Sequence, residues 1–262
     1  RQITGYPFYN TSNYTLATLG GTRTRQNLED YIAHFSENTR CIFEQFDFAN
    51  TIARMDKQEV LYRITQNFAA IDLHPEAVPE RVMSNVYEHL IRRFGAEVNE
   101  AAEDFMTPRD VVHLAVELLL DPEDEIFVNN PGLIRTLYDP TCGTGGFLSD
   151  AMEHVESMRD RYSIAPVMVP YGQELEPETH AVCLAGMLLK TLDSDPGRDL
   201  SQNIKLGSTL SKDQFTNDRF HYCVSNPPFG KAWNKDQEAV QREHDDKKFE
   251  GRFGPKLPGV GD

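Results

Sequence analysis

Between residues 27 and 94, apolar positions recur every three or four residues. Leu28, Tyr31, Ile32 and Phe35 form one run, Val60, Leu61, Ile64 and Phe68 a second, and Val82, Met83, Val86, Tyr87, Leu90 and Ile91 a third. Each run predicts an amphipathic helix. Pro79 suits a first helical turn and Gly95 the residue after a last one. A further helix is expected over "FMTPRDVVHLAVELLL", ending near Leu120, with Thr107 as its cap, Pro108 in its first turn and Asp110 closing a capping-box-like pattern. Beyond it the rhythm changes. Short apolar segments, "IRTLYDP", "VMVPYGQEL", "NIKLG" and "HYCVSNPP", alternate with helical stretches over residues 146–162 and "PETHAVCLAGMLLKTL". Strands separated by helices pair in parallel through right-handed crossovers. The expected fold class is therefore α/β, with a helical N-terminal domain over residues 1–100 and a mostly parallel sheet flanked by helices over residues 101–262. The charged stretch "NKDQEAVQREHDDKKFEG" is expected as a solvated loop or as a segment ordered by substrate, the two readings standing level.

Composition narrows this picture. A chain of 262 residues with 39% hydrophobic content buries a core for one large or two modest domains. No apolar run is long enough to span a membrane and no basic segment leads into an apolar one, so a cytoplasmic chain without membrane association is expected. Cys41, Cys142, Cys183 and Cys223 are scattered without C-x-x-C pairing, which points to reduced, buried thiols and to no metal site. Charge bears on partners: 26 Lys and Arg against 41 Asp and Glu leave a net of −15, a surface that phosphate backbones repel. Either the substrate is not nucleic acid, or a local basic groove or a partner subunit supplies the affinity.

In an open parallel sheet, ligands bind beyond the carboxyl ends of the strands. There "DPTCGTGGFL" ends a strand on Asp139, breaks it with Pro140 and turns through Gly143, Thr144, Gly145 and Gly146 into a helix. The turn lacks the Lys-Ser/Thr of a P-loop, and Leu148 stands where a third glycine would complete G-x-G-x-x-G. The next strand ends in "GQEL", whose Glu174 suits the two hydroxyls of a ribose. The two strand ends together suggest an adenosine-containing cofactor. The last strand runs into "SNPPFG". Two prolines remove two donors and stiffen the turn, leaving the Asn226 side-chain carbonyl and the Pro227 backbone carbonyl as acceptors for an amino group. Phe229 offers a face on which a planar base can stack, an interaction worth about 1–3 kcal/mol.

With "DFMTPRDVV", "GSTLSKDQF" and the helical N-terminal region added to these motifs, the chain resembles the modification (methyltransferase) subunit of type I restriction-modification systems. The resemblance implies a Rossmann-like methyltransferase sheet and transfer of a methyl group from S-adenosylmethionine to N6 of adenine in DNA. It implies Asn226, Pro227, Pro228 and Phe229 as the catalytic motif. The cofactor would lie against Asp104, Phe105, Met106, Thr107, Pro108 and Arg109, with Asp139 and Gly143, Thr144, Gly145 and Gly146 at its amino-acid end and Glu174 at its ribose. Ser208 stands where related enzymes carry an acid near the cofactor's adenine, so that contact is left unassigned. Implied partners are DNA, a specificity subunit and a restriction subunit, with two modification subunits per complex, and no metal. The chain is expected to be a fragment lacking the rest of its methyltransferase domain. Two alternatives stand beside this reading: another amino-methyltransferase, acting on cytosine N4, RNA guanine N2 or a protein glutamine, and a non-catalytic assembly scaffold.

Overall fold

A computed structural model describes residues 7–74, 107–158, 166–194, 198–228 and 232–254, with isolated positions between 77 and 93 and at 161, 164 and 230. In chain order the elements are α1 (Thr24–Ala33), α2 (Glu37–Gln45), α3 (Phe48–Lys57), α4 (Leu61–Ala69), α5 (Arg109–Leu120), α6 (Asp124–Asn129), β1 (Ile134–Asp139), α7 (Gly146–Ser157), β2 (Val167–Glu174), α8 (Pro177–Ser194), β3 (Ile204–Leu206), β4 (Tyr222–Cys223) and α9 (Gln237–Lys247). They cluster into two units, residues 1–103 with 177–202, and residues 104–176 with 203–262.

The first unit is helical. Leu19, Leu28, Ile52 and Leu61 form its buried centre, with Tyr31, Ile32, Phe48 and Met55 packed around them. Helices α1 and α4 follow the apolar spacing; α2 and α3 fill a stretch that the spacing leaves unassigned. Helix α3 turns Phe48, Ile52 and Met55 to the same buried centre at helical spacing, whereas α2 has no fully buried residue. The predicted helix over 82–91 is described only in part, and its described residues are helical. Pro79 and Gly95 lie outside the described residues. Helix α8 belongs to this unit and is tied into it by polar contacts. His180 Nδ1 lies 2.7 Å from Gln45 Oε1, and the Tyr87 hydroxyl donates to the Val182 carbonyl at 2.7 Å.

The second unit holds a four-stranded sheet in the order β3-β2-β1-β4, every pair parallel. In register, Asp139 of β1 faces Gly172 of β2, and Glu174 of β2 faces Leu206 of β3. Pro170 sits inside β2, where a missing N–H is normally costly. It is tolerated because β3 pairs only with Gly172 to Glu174, and the Asn203 amide satisfies the Pro170 carbonyl at 3.0 Å. Helix α5 packs on α7 and buries Val112, Val116 and Leu120 at four-residue spacing. Its start departs from expectation. Pro108, with ψ at 138°, is the cap residue, and its carbonyl accepts from Val111 and Val112; Thr107 precedes the cap. Helix α7 ends at Ser157, short of the expected 162. The charged stretch after β4 contains α9, an ordered helix rather than a loop.

Candidate active site

Strand β1, an inner strand, carries Asp139 to the carboxyl end of the sheet, where the residue is only 1% exposed. Burial pushes its carboxyl up to about 7, and the nearby Glu174 charge adds to the rise while the Thr141 N–H, donating to Oδ1 at 3.0 Å, opposes it. The chain then turns through two glycines in the left-handed region, Gly143 at φ 55° and Gly145 at φ 88°, closed by the Gly145 N–H on the Cys142 carbonyl at 2.8 Å. Gly146 opens α7, and among the described residues no heavy atom beyond Gly143 and its chain neighbours lies within 4 Å of where a Gly143 side chain would begin.

Strand β2 shapes this turn from the side. A Cβ on Gly172 would meet Cys142 Sγ at 2.8 Å, so only glycine lets the loop approach. The Gln173 carbonyl accepts the Cys142 N–H at 3.0 Å. Glu174 Oε2 accepts the Gly143 N–H at 2.9 Å, and its Oε1 accepts those of Leu175 and Glu176 at 2.8 Å. These contacts hold the Glu174 carboxylate against the glycine turn.

On the other flank of β1, the Val224 N–H bonds the Tyr138 carbonyl at 3.0 Å, carrying β4 pairing one residue further. Ser225 Oγ shares a 2.7 Å hydrogen bond with Thr141 Oγ1, fixing the two loops together. Asn226 is exposed, and its Nδ2 donates to Thr107 Oγ1 at 2.9 Å. In this orientation Oδ1 is the remaining acceptor of the amide.

Thr107, Asp139, the glycine turn, Glu174 and Asn226 thus gather at the carboxyl ends of β1, β2 and β4. Strand order reverses at β1, the switch point at which open parallel sheets take ligands. Arg109 reaches Glu153 of α7 at 3.6 Å, and Ser208 accepts the Leu210 N–H at 3.2 Å within its own turn. Pro227 and Pro228 are exposed after Asn226. Asp104, Phe105, Met106 and Phe229 lie outside the described residues. Sequence reasoning passed over Gln173, which is wholly buried between Gly172 and Glu174. Its signal in the sequence was weak, because it stands between Gly172 and Glu174 in a strand end that is already polar.

A sequence model of the N-6 DNA methylase family matches residues 79–257, well over half of the chain. The chain belongs to that family. Among relatives, it is 26% identical over 175 residues to the methylase subunit of the type I restriction enzyme MjaIX from Methanocaldococcus jannaschii, covering 67% of this chain and 27% of that protein. It is 26% identical over 209 residues to the EcoEI methylase subunit of Escherichia coli, covering 78% and 38%. The chain therefore spans about a quarter to two fifths of the curated relatives it matches. The solved methyltransferase subunit of a type I restriction-modification system from Streptococcus thermophilus superposes with a TM-score of 0.64 at 22% identity, covering 91% of this chain and 47% of that one. That similarity agrees with the α/β fold. Among the described residues, no helix is long and apolar enough to cross a membrane.

Proposed function

We propose that this N-6 DNA methylase family chain transfers a methyl group from S-adenosylmethionine to the N6 amine of adenine in DNA. It does so as the modification subunit of a type I restriction-modification complex, in the cytoplasm, beside a specificity subunit and a restriction subunit, with two modification subunits per complex. The observation that carries the reading is the meeting of the Asn226 amide, tied to Thr107, with the Asp139 turn and Glu174 at one edge of the sheet.

The donor set suits this cofactor. The open space above Gly143 leaves room for its amino-acid end, with Asp139 behind to face an ammonium, and Glu174 is the acceptor for the ribose hydroxyls. S-adenosylmethionine, when bound, supplies an electrophilic methyl group on a sulfonium. The Asn226 Oδ1 and the Pro227 carbonyl accept the two hydrogens of the target amine, which raises the availability of its nitrogen lone pair. Thr107 tethers the Asn226 side chain beside the glycine turn. Phe229 stacks on the extruded base. Catalysis on this reading is positioning and electrostatics, without a covalent enzyme intermediate.

The test uses the full chain with its specificity partner, labelled S-adenosylmethionine and unmethylated DNA, digested to nucleosides. Label is expected in N6-methyladenine and is expected to fall at least ~100-fold in Asn226→Ala. Label in N4-methylcytosine, in RNA or in protein overturns the substrate assignment.

A further inference from the structure

The segment from Gly207 to Gln214 leaves the carboxyl end of β3 and runs back across the sheet edge. The Gly207 N–H donates to the Glu174 carbonyl at 2.8 Å, and the Thr209 hydroxyl donates to the Pro140 carbonyl. It therefore passes over the ends of β2 and β1, beside the residues assigned above to the cofactor. Such a connection has no ladder to hold it, so its placement depends on side chains.

One side chain holds it from beneath. Gln173 is fully buried, and its Nε2 donates to the Gly207 carbonyl at 3.0 Å and the Lys212 carbonyl at 2.9 Å, while its Oε1 accepts the Gln214 N–H at 3.1 Å. Two carbonyls at one end and an N–H at the other fix the orientation of the amide. Its main-chain carbonyl meanwhile accepts the Cys142 N–H, so a single residue sets the glycine turn and the loop opposite it. A second side chain holds the loop from outside. The Arg252 guanidinium donates to the Thr209 carbonyl and, at 3.1 Å, to the Leu210 carbonyl, and is itself anchored on Glu243 of α9. Beyond the loop, Phe215 packs edge-on against Tyr138 and Tyr171, with ring centroids 5.3 and 5.7 Å away, which fixes the exit.

We propose that Gln173 is a positioning residue for the cofactor, acting through the 207–214 loop, with Arg252 as its outer clamp. The proposal rests on the cofactor reading above and extends it to two residues that touch neither cofactor nor base. The amide is suited to this work where other side chains of its size are not. Glutamate in its place turns an acceptor on two carbonyls, and methionine fills the volume but leaves those carbonyls and the Gln214 N–H without their partner. Losing the amide frees the loop while β2 and its apolar neighbours remain packed.

The loop carries its own reporter: Lys212 is exposed, its carbonyl is held by Gln173, and cleavage after it is expected to quicken when the loop detaches. The full chain would be compared with Gln173→Met, Gln173→Glu and Arg252→Met. Three quantities would be read: trypsin cleavage after Lys212 by mass spectrometry, the S-adenosylmethionine dissociation constant by calorimetry, and the melting temperature. At temperatures where each variant is fully folded, the two Gln173 variants are expected to cut after Lys212 at least about tenfold faster. They should bind S-adenosylmethionine about tenfold or more weakly, with KM for the cofactor raised and kcat at saturation within about threefold. Arg252→Met is expected to move the first two quantities in the same direction by a smaller factor.

A role confined to core packing lowers the melting temperature but leaves affinity and Lys212 protection at wild-type values in the folded protein, and that result overturns the proposal. Should both Gln173 variants fail to fold, Arg252→Met decides, because its substitution lies at the surface. Unchanged cleavage and affinity there overturn the proposal too. Failure of the unaltered chain to bind S-adenosylmethionine overturns the cofactor reading and this role with it, while the Lys212 cleavage rates separately report whether Gln173 holds the loop.

Discussion

Asp139 is a carboxyl in a place that disfavours its charge, and its proton should follow the ligand. Burial raises it to about 7, whereas an unfolded aspartate titrates near about 4. The protonated form is thus favoured by the fold. The corresponding stability is fully present below about pH 4 and is lost as pH rises through about 7. An ammonium group arriving beside the carboxyl reverses the preference and expels the proton, so S-adenosylmethionine affinity is expected to rise with pH up to about 7 and then level off. Calorimetry at pH 6 in two buffers of different ionisation heat should register proton release, absent in Asp139→Asn. An affinity independent of pH between about 5.5 and 8 would count against the assignment. Asp139 and Glu174 lie where the sequence places them, at the ends of β1 and β2, and Asn226 follows β4 by three residues, on the side where a parallel sheet exposes its chemistry. Gln173 was not legible in the sequence, because its partners lie 34 and 39 residues away and exist only once the loop has crossed the sheet. Thr107 was expected to cap a helix, yet its hydroxyl serves Asn226, 119 residues on.

At the scale of elements, the helices around β1 are joined by a charged cluster that the mechanism does not use. His154 of α7 is buried, with Nδ1 3.0 Å from Glu117 of α5 and Nε2 3.0 Å from Asp124 of α6. A carboxylate on each ring nitrogen requires both to be donors, which is the imidazolium form. Burial opposes that charge, but the bonds to Asp124 and Glu117 outweigh it and hold the ring above its usual range. Around them His113 faces Asp150 at 3.3 Å and Glu117 at 3.8 Å, and Arg161 faces Asp124 at 3.5 Å. A raised histidine gives stability that is complete below its ordinary pKa of about 6.5 and fades as pH climbs through the folded value. Between pH 6 and 8, urea unfolding of the protein is therefore expected to lose more stability than that of His154→Gln. Equal losses would show that the cluster does not tie the helices together. Long periodic segments such as α5 and the apolar strands β1, β2 and β3 could be read within a residue or two, because burial imposes their pattern. Helix α9 could not, because a charged helix that buries only Val240 carries little apolar pattern; α2 and α3 lie between the runs that were singled out, although α3 carries Phe48, Ile52 and Met55 at helical spacing.

For the whole molecule, the balance of charge sets the terms on which DNA is met. A net of −15 opposes a polyanion, and several cations are already engaged internally, Arg25 on Glu29, Arg242 on Glu238 and Arg252 on Glu243. Affinity for duplex DNA grows with the number of phosphates that Lys and Arg neutralise, and the slope of log K against log salt counts them. On the reading proposed above, a specificity subunit contributes most of those contacts. The chain alone is then expected to bind DNA no tighter than about 10⁻⁵ M near 0.15 M salt, with a shallow slope. Adding the specificity partner should tighten binding at least ~100-fold and steepen the slope. The slope is the discriminating quantity, because tighter binding by itself is also what a mere change of shape in this chain would give. A slope unchanged by the partner would mean that the added affinity comes without further phosphate contacts, and would count against this division of labour. Nanomolar binding by the isolated chain that survives ~0.5 M salt would place the DNA-gripping surface here and remove the electrostatic need for a partner.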